Sequence, residues 1–264
     1  SASFDFWSPK GGVLWDVTRE IQVFANISKS TEAPTFTEIP TPTAIVPRLE
    51  PQEAVTYEIG TRGNLPGLRW DLALYRSEIE NEFQCNTLAD GSRVNSCDQI
   101  NLGNTIHQGV EAGLAARVFS GLFESGPTSD ELWFHGAYTF SDFRFDNDPT
   151  FGDNELPGAP RHYLRAELLY KHPSGVYAGP NVEWVPEAFF VDSANTLGTK
   201  AYALLGAKLG FDNGGNWSAY IEGRNLTDEA YIASASIATT ANANSLLFEP
   251  GTGRAVYGGV QFRW

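Results

Sequence analysis

Apolar and polar residues alternate along most of this chain with a period of two. From Leu68, the side chains of Leu68, Trp70, Leu72 and Leu74 fall on one side of an extended strand, while Arg69, Asp71, Tyr75 and Ser77 fall on the other. Leu132, Phe134, Tyr138 and Phe140 alternate with Trp133, His135 and Thr139, and Leu164, Ala166 and Leu168 alternate with Arg165 and Glu167. The last strand repeats the rule: Val256, Gly258, Val260, Phe262 and Trp264 share a face without charge, opposite Tyr257, Gln261 and Arg263. Read with its turn residues, the pattern predicts about eleven strands, near 2–15, 20–30, 53–63, 67–83, 101–118, 131–146, 161–171, 176–190, 200–211, 216–230 and 253–264. Pro180 and Pro186 fall inside the eighth, where each removes a ladder donor, so a bulge or irregular pairing is expected there.

The connections alternate as well. Tight turns at 17–19, 64–67, 172–175 and 212–215 and a medium one through 125–127 take turns with long segments at 31–52, 84–98, 147–160, 192–199 and 232–252. Short turns on one side and long loops on the other describe a transmembrane antiparallel β-barrel, whose strands put apolar residues toward lipid and polar ones toward a wet lumen. An arginine or lysine on the lipid side costs about 2–4 kcal/mol at mid-membrane, which accounts for the segregation of charge.

Composition agrees. No stretch approaches the roughly 18 apolar residues of a membrane-spanning helix. Aromatic residues make up 13% of the 264, Gly numbers 26 and Met is absent, which suits strands and turns. A formal charge of -14 repels nucleic acid over most of the surface and excludes it as a partner. Cys85 and Cys97 lie in a polar, turn-rich segment with too few ligands for zinc. A disulfide between them is expected, worth about 3 kcal/mol in the chain-entropy model and placing the loop in an oxidising setting. The sequence contains no P-loop, H-E-x-x-H or nucleophile elbow, and the four histidines are scattered, so neither catalytic residues nor a metal site is expected. His107 and His135 fall on the lumen side. No signal peptide is visible at Ser1, and a preceding segment is expected to have been removed.

Several motifs carry a resemblance. Tyr257, Gly259, Phe262 and Trp264 resemble the C-terminal assembly signal of bacterial outer-membrane proteins. Tyr57-Glu58-Ile59-Gly60-Thr61-Arg62-Gly63 followed by Trp70-Asp71-Leu72-Ala73-Leu74-Tyr75, Gly109-Val110-Glu111-Ala112-Gly113, and Asn225-Leu226-Thr227-Asp228-Glu229-Ala230-Tyr231 resemble, in order, the barrel of TonB-dependent outer-membrane receptors. The resemblance covers 1–264 as one unit and implies an all-β fold, the C-terminal half of a 22-stranded barrel. It implies a plug domain, a TonB box and the TonB-ExbB-ExbD complex as energy source. Outer-membrane lipid with lipopolysaccharide, the barrel assembly machinery and the remaining half of the barrel are the other implied partners. No plug or TonB box is found in this sequence, and eleven antiparallel strands cannot close on themselves, because the first and last would run parallel. The implied activity is import of a scarce chelate, foremost a ferric siderophore, with no bound cofactor. Haem, cobalamin, an organic cofactor or an oligosaccharide stay open as cargo, as does a passive porin. By position, Arg48, Arg93, Phe248 and Arg254 are the candidates to touch cargo, arginine being suited to anionic chelates. Glu58, Arg62, Glu111, Arg165, Glu167 and Glu222 are expected to point inward at mid-barrel.

Overall fold

The computed structural model describes residues 5–34, 49–86, 98–123 and 128–264. Its strands are β1 (Lys10–Asp16), β2 (Ile21–Glu32), β3 (Gln52–Leu65), β4 (Leu68–Glu80), β5 (Phe83–Asn86), β6 (Asp98–Asn101), β7 (Thr105–Ser120), β8 (Glu131–Phe145), β9 (His162–Lys171), β10 (Val176–Val185), β11 (Tyr202–Asp212), β12 (Trp217–Arg224), β13 (Ile232–Ala235), β14 (Phe248–Pro250) and β15 (Ala255–Phe262). Eleven of them form one sheet in the order β1-β2-β3-β4-β7-β8-β9-β10-β11-β12-β15, each pair antiparallel. These are the eleven strands that alternation predicts. β5–β6 and β13–β14 are separate hairpins inside two of the long connections, and the sequence pattern does not predict them.

Three strand boundaries differ from expectation by five residues or more. β1 begins at Lys10 rather than near residue 2, residues 1–4 lying outside the described set. β10 stops at Val185, immediately before Pro186, instead of running to 190. β12 stops at Arg224, because Asn225 and Asp228 take positive φ angles of 48° and 59° that no strand accommodates. At Pro180 the pairing is irregular without a bulge. Against β9 it skips from Ala178↔Tyr170 to Asn181↔Glu167 at constant register, while Pro180↔Ala207 keeps the ladder to β11 intact. A bulge does occur in β7, where the register to β8 shifts between Arg117 and Phe119, setting Phe119 opposite Leu132.

The register carries the apolar face unbroken from strand to strand. Val13, Ala25, Ile59, Leu74, Val110 and Phe140 are directly paired across six strands. On the same face, Ala166, Val182 and Leu205 continue through β9, β10 and β11. These side chains face outward, and the larger ones among them include open residues such as Val13 at 71% exposed, Ile59 at 54% and Leu205 at 47%; on the same face Val260 is 73% exposed and Leu72 37%. A water-soluble sandwich buries such residues, so this is a wall for a lipid solvent. On β8 the outward apolar set runs from Leu132 to Phe140, about 27 Å of strand at about 3.4 Å per residue, on the scale of the apolar band of a barrel. The next row up is polar and self-paired. Arg76 Nη1 donates to Gln108 at 2.8 Å, and Gln108 Nε2 donates to Asp142 at 2.7 Å. Lys29 and Glu53 pair at 2.7 Å close by.

β1 and β15 are the two edges of the sheet and are not hydrogen-bonded to each other. All seven residues of β1 are exposed. The sheet is strongly curved nonetheless, since Arg62 of β3, His135 of β8, Lys208 of β11 and Tyr257 of β15 line one concavity. The buried apolar cluster of Val191, Ala238, Ala241 and Leu247 lies outside the sheet, in the long connections 186–201 and 225–254.

Candidate functional site: the concave wall and its rim

The inward face presents charge, and the register decides how it is matched. Arg165 stands directly opposite Glu183, to which its Nε and Nη2 donate at 3.1 and 2.6 Å. Lys208 pairs with Glu167 at 2.7 Å, and Arg224 with Glu222 at 2.8 Å while its guanidinium lies 4.9 Å above the Tyr257 ring. Nearer the short turns, Arg62 Nε donates to Gln22 at 2.7 Å, and Arg69 Nε to Asn64 at 2.8 Å. Asn26 Nδ2 donates to Glu58 at 2.7 Å on the same face. Apart from Asn26 and Glu58, these side chains line much of a concavity of about 1360 Å³. It is a wettable wall in which Arg165, Lys208 and Arg224 are each matched by a carboxylate, while Arg62 and Arg69 meet neutral amides. Among the described residues no group of three or more His, Cys, Asp or Glu is placed to hold a metal ion.

At the upper rim, the Tyr202 and Tyr231 rings meet at 4.9 Å and both line the concavity. Tyr231 belongs to the connection 225–254, whose root is pinned by buried Asn225. The Asn225 amide donates to the carbonyls of Glu229 and Thr252 and accepts from the Glu229 amide at 2.8 Å. Asn225 therefore acts in the turn that ends β12.

The expected inward residues Glu58, Arg62, Glu111, Arg165, Glu167 and Glu222 all take the parity of the concave face. His107 and His135 do the same: His107 Nε2 lies 3.1 Å from Glu82 and its ring stacks on Phe143 at 4.3 Å, while His135 lines the concavity. Of the four candidate cargo contacts, two fall within the described residues. Arg48 and Arg93 lie outside the described residues. Phe248 packs against the buried cluster of the connections. Arg254 is exposed, and its backbone amide donates to Asp228 at 2.9 Å. Cys97 also lies outside the described residues, and Cys85 is described by its backbone alone, paired with Gln99 in the β5–β6 hairpin. Of the terminal motif, Tyr257 lines the concavity. Phe262 packs on Trp217 at 4.7 Å and lies 6.5 Å from Trp264, forming an aromatic group at the short-turn end. Gly259 sits opposite Tyr220, whose ring fills the space a Cβ would need. Tyr202, Tyr231, Glu183 and Lys208 were not singled out from sequence, although the period-two rule puts Glu183, Tyr202 and Lys208 on the inward side.

The β-barrel model of the TonB dependent receptor-like family matches residues 1–226. The chain belongs to this family. Its sequence is 26% identical over 219 residues to the vitamin B12 transporter BtuB of Photobacterium profundum, covering 83% of this chain and 33% of that protein. Two solved structures share the fold. The copper transporter OprC superposes with a TM-score of 0.74 at 16% identity, over 97% of this chain and 39% of its own. The ferric yersiniabactin uptake receptor FyuA of Yersinia pestis gives 0.71 at 17% identity, over 97% and 36%. The receptor chain described here thus spans about a third of the length of these relatives. As a member of this family it is an outer-membrane, all-β protein whose curved sheet is part of a receptor barrel.

Proposed function

We propose that this chain is the C-terminal half of the barrel of a TonB-dependent importer that captures a scarce chelate at its outer rim and performs no chemistry on it. The observation that carries this reading is the two-faced curved sheet: open apolar residues outside, cross-strand ion pairs inside. The unpaired edges of β1 and β15 call for further strands to complete the cylinder. A plug domain and its contact with TonB-ExbB-ExbD belong to the rest of the same receptor. The aromatic C-terminal strand is the signal for the barrel assembly machinery, and the Lys29–Arg76 row faces lipopolysaccharide head groups. A disulfide between Cys85 and Cys97 belongs to the same reading.

A ferric siderophore is the leading cargo, supported by uptake receptors such as FyuA among proteins of this fold. A corrinoid is the second reading, favoured by the sequence likeness to BtuB. Deletion of the gene, followed by growth on a panel of chelated iron sources and on limiting vitamin B12, separates them. Loss of growth on one iron chelate, reproduced by deletion of tonB, supports the first; a defect confined to vitamin B12 supports the second. Uptake that persists without TonB would establish a passive pore instead.

A further inference from the structure

Outer loops ordinarily bury little and open at small cost. Here the connections 186–201 and 225–254 share a core and a clasp. Asp192 is fully buried, and its carboxylate accepts four hydrogen bonds: from the Thr196 amide at 3.0 Å, the Thr196 hydroxyl at 2.5 Å, the Leu197 amide at 2.9 Å and, across the gap, the Ala241 amide at 3.2 Å. A buried carboxylate is tolerated only when so completely satisfied, so removing it leaves several donors unmet at once. The backbones are laced beside it. Ala238 donates to Val191 at 3.1 Å, Ser193 to Ala238 at 3.0 Å, and Ala194 to Thr239 at 3.1 Å. The single Thr196 hydroxyl proton is shared between Asp192 and the Ala241 carbonyl, which lies 2.8 Å from the hydroxyl oxygen. Beneath lies the apolar cluster of Val191, Ala238, Ala241 and Leu247, with Leu197, Ala235 and Phe248 packed on it.

A third connection, 146–161, is tied to the same body. Asn195, in the left-handed region at φ 55°, exchanges two 2.9 Å hydrogen bonds with the backbone of Glu155. Asn154 Nδ2 donates to the Ser193 carbonyl at 3.0 Å, and the Gly158 amide to Phe190 at 2.8 Å.

We infer that these three connections form one preassembled cap with Asp192 as its clasp, which fixes the Tyr202–Tyr231 pair at the rim before cargo arrives. The cap's rigidity stands apart from the import reading; only its meaning for capture rests on it. Asp192 is a positioning residue and touches no cargo.

Hydrogen exchange read by mass spectrometry on the full-length receptor, in lipid nanodiscs without ligand, tests the clasp directly. Segments 191–197 and 236–247 should be protected in the native protein. In Asp192→Ala both should exchange at least about tenfold faster together, while Tyr202–Asp212 and Trp217–Arg224 stay unchanged. Thr196→Val should give a smaller rise in the same two segments, and supplies the test if Asp192→Ala fails to assemble. Asn195→Ala should free 152–156 most. Native segments that exchange like open chain, or variants that loosen 191–197 while 236–247 remains protected, would overturn the proposal.

Discussion

The barrel wall and the outer cap use the same apolar residues in opposite ways. In the wall, Val260 is 73% exposed and Leu74 48%; in the cap, Leu247 is 2% exposed and Val191 fully buried. The difference lies in the solvent. Lipid accepts a leucine face and rejects unpaired backbone, so the wall spends its apolar residues outward and closes its hydrogen bonds between strands. The cap stands in water and has to build a core of its own. Hydrophobic placement in this molecule therefore reports which medium each region meets.

Substitutions that exchange the two media test the contrast most severely. Leu247→Ala should cost the cap about 2–5 kcal/mol by emptying its core, seen as faster exchange in 236–247 with strand protection intact. Global loss of the barrel instead would mean that wall and cap are not separate. Leu72→Arg should cost about 2–4 kcal/mol in a denaturant titration of the receptor folded into vesicles, whereas a change at neighbouring Asp71 should cost clearly less. Equal costs on the two faces would remove the distinction between them. Gly179→Ala should cost about 1–3 kcal/mol and loosen the β9–β10 pairing, because its Cβ would clash with the Leu168 carbonyl oxygen. Lys29→Ala removes a half-exposed ion pair with Glu53 and should cost under about 1 kcal/mol in the same titration.

The wall was legible in the sequence because its one rule, a period of two imposed by lipid outside and water inside, repeats in every strand. Its ends were less so. Asn225 reads as polar strand until its positive φ is seen, and the stretch after Pro186 is apolar enough, at Phe189 and Phe190, to pass for a strand. The cap was hidden for a different reason. Val191, Leu197 and Leu247 follow no period, and the hydrogen bond from Ala241 to Asp192 joins residues 49 apart in the chain. Phe248, a cargo candidate by position, packs on the cap, and no period announces that contact. Tyr231 lies in a loop, where no alternation marks its side.

The central claim is that successive side chains of one strand meet lipid and lumen in turn. A photoreactive benzophenone side chain placed at each position from 68 to 75 of β4, in the receptor assembled in outer membranes, tests it directly. Lipid adducts are predicted at Leu68, Trp70, Leu72 and Leu74 and not at Arg69, Asp71, Ala73 and Tyr75. Adducts in the opposite phase, or lipid labelling without alternation, would contradict the account.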